Sequence, residues 1–421
     1  MVSAMDCPAG STQMQYWAPV AEPEATHQFG HPIIPAKAAL LDGQELQELN
    51  DHDDLSRNVF GVLGIPIDAL DLSALLGLID AAAAERRRFL LSTPNVNFLM
   101  MSRSDKDFRE SLLVSDSCPV DGMPMVWIAR LLGAPIPKRL SGSDIFDALR
   151  SRKPLGDKLK VFLFGGAEGV ADTVSRSINA DAHGGMDCLE AFNPGFGSIA
   201  DMSADTVIHR INASKADFLT VFLSARKAQG WLLQNHDRLE IPIRAQLGAT
   251  INLQAGIVRR APPVVQRWGF EWLWRIKEEP YLWRRYFSDG RGLLYLVLTC
   301  VLPLSARHLF RSLTGKDRRE GLVIEHSQEP EAMRIKLVGA ATARHIDAAI
   351  AFFKRAVAAQ NAIVIDLSQI SAIDTRFFGL LLMLRKRLLR QGRRLSFIAA
   401  TRRMEYIFRM NGFGFLLNEE A

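Results

Sequence analysis

A chain of 421 residues is longer than one ordinary hydrophobic core serves, so two or three domains are expected. Hydrophobic residues make up 48% and charged residues 23%, the composition of a globular protein. Lys and Arg number 51 against 46 Asp and Glu, and a net charge of +5 gathered in the middle of the chain does not by itself imply a nucleic-acid partner. The four cysteines, Cys7, Cys118, Cys188 and Cys300, form no Cys-x-x-Cys pair and lie near no histidine cluster, which argues against a disulfide framework or a structural zinc and for a reducing compartment. The opening stretch 1–20 lacks the basic and apolar regions of a secretory signal, so a cytoplasmic location is expected.

Residues 1–55, rich in Pro, Gly, Gln, His and acids, read as a disordered leader. The apolar run 58–67 reads as the first strand, and a helix follows from Asp71 through Leu75 and Leu76 to Ala84. Strand and helix then alternate. Strands are expected at 89–93, 160–164 and 217–223, with helices at 105–114, from Val170 and from Lys227. Continuous apolar strands between helices indicate a sheet covered on both faces, hence an α/β, Rossmann-like domain with a largely parallel sheet. Thr93, Gly165, Gly166 and Ser224 fall at its strand ends, where such sheets bind ligands.

From 268 to 311 the chain is crowded with Trp and Arg. An apolar run at 293–304 is shorter than the ~20 residues a spanning helix needs. Its flanks hold Arg284, Arg285 and Arg291 on one side and Arg307, His308 and Arg311 on the other. Either it lies in a membrane interface with its arginines on anionic head groups, or it packs as a buried helix. After the charged linker 316–320 a second α/β unit begins. It has strands at 334–339, 362–367 and 395–399, helices at 346–357 and 377–389, and a last helix near Met404. The expected division is therefore a leader over 1–55, an α/β domain over 56–267, a helical appendage over 268–315 and a small domain over 330–421.

The block richest in chemistry is Thr93-Pro94-Asn95-Val96-Asn97, then Asp121-Gly122, then Arg139-Leu140-Ser141-Gly142-Ser143-Asp144. Thr93 and Asn95 at a strand end suit hydrogen bonding to a ligand. Asp121 is either a general base on a hydroxyl nucleophile or a helix N-cap or turn residue.

In order and spacing this block resembles the WecG/TagA/CpsF glycosyltransferases (glycosyltransferase family 26). The resemblance continues through Phe164-Gly165-Gly166, Leu247-Gly248-Ala249, Asn252, Ala255-Gly256, Arg260-Ala261-Pro262, Glu271-Trp272-Leu273-Trp274-Arg275 and Glu279-Pro280. It implies inverting transfer of a sugar from a UDP-sugar to a polyprenyl-pyrophosphate-linked saccharide at the cytoplasmic membrane face, without a metal or other cofactor. The pathway it points to is exopolysaccharide or surface polysaccharide assembly. It further implies that Asp121 is the base with Thr93 and Asn95 beside it. Substrate binding would fall to Arg139, Gly142, Asp144, Gly165, Gly166, Asn252 and Arg260. Arg275, Arg284 and Arg285 would meet the lipid pyrophosphate. The stretch Ser224-Ala225-Arg226-Lys227-Ala228-Gln229 departs from the family's Gly-x-Pro-Lys-Gln-Glu, and Gln229 is the candidate replacement for its glutamine.

The segment Val364-Ile365-Asp366-Leu367 to Asp374-Thr375-Arg376-Phe377-Phe378-Gly379 resembles the STAS family of anti-sigma factor antagonists. That resemblance makes Thr375 either a phosphorylation site for a partner kinase or merely a helix cap after Asp374, and implies a regulatory protein partner. Two further readings compete: a degenerate transferase acting as a scaffold through STAS, and a dinucleotide-dependent oxidoreductase. The second lacks a Gly-x-Gly-x-x-Gly after the first strand.

Overall fold

The structure is a computed structural model that describes residues 53–154, 156–315, 320–329, 332–359 and 361–418. The expected leader lies outside these residues except at its end, where Asp54–Ser56 already forms a 3₁₀ turn with Asp54 buried. The apolar run expected as one strand is a hairpin, β1 (Val59–Val62) and β2 (Ile65–Asp68). Leu63 at φ 49° and Gly64 at φ 98° reverse the chain between them. This hairpin pairs with no strand of the main sheet, so the expectation that the sheet begins here is corrected.

The main sheet contains β3 (Phe89–Leu91), β4 (Leu159–Gly165), β5 (Met186–Phe192), β6 (Phe218–Phe222) and β7 (Ile243–Gln246). Their order is β3-β7-β6-β4-β5, and every neighbouring pair is parallel. Alternate residues enter two cores. Phe89, Leu91, Val161 and Leu163 meet the helices Leu72–Ala84, Gly142–Ser151 and Val170–Asn179 on one face. Leu90, Phe162, Phe164 and Val221 meet Ile208 and Trp231 on the other. Both faces are covered, as the apolar runs predict. Strands β5 and β7 are not apparent in the sequence because polar residues interrupt them. In β7 the fully buried Arg244 donates to the carbonyls of Ile241, His236 and Leu239, which satisfies its guanidinium inside the core.

The C-terminal sheet has the order β11-β10-β9-β8, from β8 (Leu322–Gln328), β9 (Ala332–Ala341), β10 (Ala362–Ile373) and β11 (Leu395–Ile398). It starts earlier than the expected boundary at 330, because the mostly exposed β8 pairs antiparallel with β9. Its helix Thr375–Arg390 is buried almost throughout. One side covers its own sheet and the other takes the β1–β2 hairpin, so Val59, Leu55 and Leu113 share a core with Phe377 and Phe378. At Gly379 a Cβ would stand 2.0 Å from the Val59 carbonyl oxygen, so only glycine permits this approach.

The appendage is more helical than the 293–304 run suggests. Helices Trp283–Leu296 and Leu302–Leu313 join through a π-helical turn, Val297–Val301. The resulting helix Pro280–Leu313 is long and apolar enough to cross a membrane. Leu296, Cys300 and Val301 are nevertheless buried in the core that holds Phe98, Leu99 and Val126.

Candidate active site

All strands of the main sheet run the same way, so the segments that follow β3, β4, β6 and β7 gather at one edge. After β3 the chain passes through the buried Thr93 and Pro94 into the helix Val96–Ser104. Asn95 is the N-cap, its Oδ1 accepting the Phe98 N–H at 3.1 Å. The remainder of its side-chain amide is free to bond the carboxylate of Asp121. The Pro94 carbonyl accepts the backbone N–H of Asp121 at 2.9 Å. The turn after β3 therefore grips Asp121 by backbone and by side chain.

Asp121 is not a cap. The N-cap of the helix Met123–Leu131 is Gly122. Burial is the main cause that pushes the Asp121 carboxyl up to about 7; Arg139 pulls it down, Glu271 and Asp144 raise it further, and Asn95 opposes them. A carboxyl poised there is half-ionised at neutral pH, which is what a general base needs.

Arg139 lies 3.0 Å from Glu271 and 3.6 Å from Asp144, and donates to Gln266 at 2.9 Å. Arg260 pairs with Asp144 and Asp147. Asp144 thus joins the two arginines, while its Oδ2 accepts from the Ser141 backbone in a capping box that fixes the helix Gly142–Ser151. Gly142 packs on Leu247 and Thr250. Gly165 and Gly166, at φ 94° and 89°, turn the chain out of β4, with Gly166 facing Ile251. Asn252 follows in the short helix Thr250–Gln254, so these glycines converge on the segment after β7.

Other expected residues fall elsewhere. Gln229 is fully buried and donates to Ser92 Oγ at 3.0 Å; it braces the end of β3 from inside and offers nothing to a ligand. Arg275 pairs with Glu279 at 2.6 Å, and Tyr281 donates to the same carboxylate at 2.7 Å. Arg284 and Arg285 are exposed and stack over Trp283 and Tyr286. Arg275 and Arg285 both act on the Tyr281 hydroxyl, while Asn97 donates to Asp289 at 3.1 Å, which ties this helix to the one that Asn95 caps. Thr375 is 5% exposed, and its hydroxyl donates to the Leu132 carbonyl at 3.3 Å, so a kinase reaches it only if that contact opens. Glu271, Gln266, Asp147 and Asp289 are additions. Only Glu271 carried a signal, as the acid opening the Glu-Trp-Leu-Trp-Arg segment. Among the described residues no group of three or more His, Cys, Asp or Glu side chains is placed to hold a metal ion.

The profile of the Glycosyl transferase WecG/TagA/CpsF family matches residues 60–307, and that of the Mlab, STAS domain matches residues 324–418. The N-acetylglucosaminyldiphosphoundecaprenol N-acetyl-beta-D-mannosaminyltransferase of Bacillus spizizenii is 25% identical over 232 residues, covering 53% of this chain and 86% of that protein. The protein of the same name from Staphylococcus aureus is 21% identical over 216 residues, covering 51% of this chain and 82% of its own.

Proposed function

The chain belongs to the WecG/TagA/CpsF family of glycosyl transferases, and from that premise we propose that it moves a sugar from a UDP-linked donor to a polyprenyl-diphosphate-linked saccharide, with Asp121 as general base. The observation that carries this reading is the Asp121 carboxyl, raised to about 7 and held by Pro94 and Asn95 beside Arg139. Asp121 takes the proton of the acceptor hydroxyl as its oxygen attacks the anomeric carbon. The bond from that carbon to the diphosphate oxygen breaks from the opposite side, and the configuration inverts. Charge that develops on the leaving UDP passes to Arg139 and Arg260, which exchange carboxylate partners for phosphate oxygens. In this reading the two guanidinium groups supply the stabilisation of the departing diphosphate.

The relatives' names supply the first pair of substrates to test: an N-acetylmannosamine donor, and an acceptor built on N-acetylglucosaminyldiphosphoundecaprenol. In this reading the product feeds surface or exported polysaccharide. The helix Pro280–Leu313 lies along the cytoplasmic membrane face and does not cross it. Its middle is packed on the protein, while Phe287, Leu294, Leu298 and Leu302 are exposed near Arg284, Arg285 and Arg291.

The test is release of UDP, and formation of a lipid-linked product, from a panel of UDP-sugars with membrane lipid extract. One donor is expected to support transfer, and Asp121→Ala to abolish it in a folded protein. Absence of turnover with every donor, or full activity in Asp121→Ala, overturns the assignment.

A further inference from the structure

We infer that the STAS domain is a positioning part of the transferase site, holding through Lys386 and Arg390 the segment of chain that carries Asp121. The inference rests on the reading of Asp121 as base. Both cations project from the helix Thr375–Arg390, and Lys386 is only 3% exposed. Lys386 donates to Asp116 at 2.7 Å, to Asp54 at 3.0 Å and to the Ser115 carbonyl at 2.9 Å. Arg390 donates to Asp116 at 2.6 Å and to Asp54 at 2.9 Å.

The carboxylates they hold are not surface groups. Asp116 Oδ2 accepts the N–H of Leu90 at 2.9 Å, and the Asp116 N–H donates to the Leu90 carbonyl at 2.8 Å. Asp116 thereby fastens β3 just before the turn that grips Asp121. Asp54 pairs with Arg57 at 3.1 Å, and Arg57 with Asp68 at 2.8 Å. Asp68 in turn accepts the Cys118 N–H at 2.6 Å and donates its own N–H to the Cys118 carbonyl at 3.0 Å. Beyond it the Val120 carbonyl accepts the Leu140 N–H at 2.7 Å, and Asp121 is held by Pro94. From 116 to 121 the backbone is pinned at 116, 118, 120 and 121; the first pin is a carboxylate neutralised directly from the STAS helix, and the second, Asp68, is linked to that helix through Arg57 and Asp54.

Burial opposes charge on Asp54, yet Lys386, Arg390 and Arg57 together hold it well below the usual carboxylate range. Burial and the charge of Arg390 push Lys386 down, and the carboxylates of Asp116 and Asp54 facing it oppose that. Removing either cation leaves a buried carboxylate under-compensated, and the nearest relief is movement of the 116–121 backbone.

The experiment compares full-length parent, Lys386→Met, Lys386→Arg and Arg390→Gln, using the donor that supports transfer. The expected result for folded Lys386→Met is a fall in kcat of roughly 10–100-fold with the donor KM unchanged. The acid limb of its pH profile also shifts, and hydrogen exchange quickens at the Leu90 and Asp121 amides. Lys386→Arg, which keeps the charge, retains more of kcat. Arg390→Gln, a milder change at a partly exposed side chain, gives the same signature if Lys386→Met does not fold. Parental kcat, pH profile and amide exchange in a folded variant overturn the proposal, as does a loss that only tracks the unfolded fraction. Asp121→Asn run in parallel separates the two readings. If it keeps the parental rate, the base assignment fails, whereas the exchange of Leu90 and Asp121 in Lys386→Met still decides whether the STAS helix holds this segment.

Discussion

Glu271 Oε2 lies 3.0 Å from the Arg139 guanidinium, and the two residues act on Asp121 in opposite senses. Arg139 favours its ionised form, Glu271 its protonated form. Their balance, set on top of burial, places the base near 7. Glu271→Gln removes a negative charge and lowers the Asp121 pKa, so the acid limb of kcat/KM moves to lower pH. Arg139→Gln moves it upward and also slows transfer by about 10²–10³-fold, because the departing diphosphate loses a partner. Profiles in which both variants share the parental limb would assign that limb to another group.

The same carboxyl has a cost in stability. Its folded pKa of about 7 exceeds the ordinary 3.8, so between those values the folded state holds a proton that the unfolded state has released. Its contribution is favourable at acid pH and is lost as pH rises towards 7. Asp121→Asn is therefore expected to melt above the parent at pH 8, with the difference narrowing towards pH 5. Thermal melts at the two pH values check this, and a variant that melts below the parent at pH 8 would contradict it.

Much of the site was legible in the sequence. The turn after β3 and the paired glycines announce themselves because a parallel sheet binds ligands at strand ends, marked by polar residues and glycine after apolar runs; Asp121, Arg139 and Asp144 follow no strand and were marked by the family resemblance alone. The rest was hidden for physical reasons. Gln266 reaches Arg139 only through the tertiary folding of the segment after β7, which no local pattern specifies, and the segment that Glu271 opens gave no sign of which side chain it meets. Gln229 looks available, yet Ser92 occupies it inside the core. The run at 58–67 is apolar enough for a central strand, and only the left-handed pair Leu63 and Gly64 turns it into a hairpin. Thr375 is not the cap, since Asp374 caps the helix by accepting the Phe377 N–H, and the face Thr375 belongs to is taken by the transferase domain.

The packing of that face is testable at glycine. Gly379→Ala places a Cβ against the Val59 carbonyl and is expected to destabilise the full chain by about 2–4 kcal/mol. Gly77→Ala, at an exposed position of the helix Leu72–Ala84 where a Cβ meets nothing within 4 Å, is expected to stabilise it by roughly 0.5–1 kcal/mol. Denaturant unfolding distinguishes them. A neutral Gly379→Ala would mean that the two domains do not pack as described.

Membrane association makes a separate prediction. The full chain is expected to bind vesicles containing anionic lipid and to leave them as salt rises. Arg284→Glu or Arg285→Glu should each weaken binding by at least about 1 kcal/mol, and Leu298→Glu should also weaken it. Retention on vesicles at high salt in all three variants would instead indicate a helix that crosses the bilayer.

The most direct test of the central claim is the pH dependence of sugar transfer by the full chain and by Asp121→Asn, with UDP release and melting temperature measured on the same samples. The account predicts a parental rate that rises through about pH 7, and an Asn variant slower by roughly 10²–10⁴-fold while fully folded. An Asn variant that transfers sugar at the parental rate would contradict it, and the base would have to be sought elsewhere in the site.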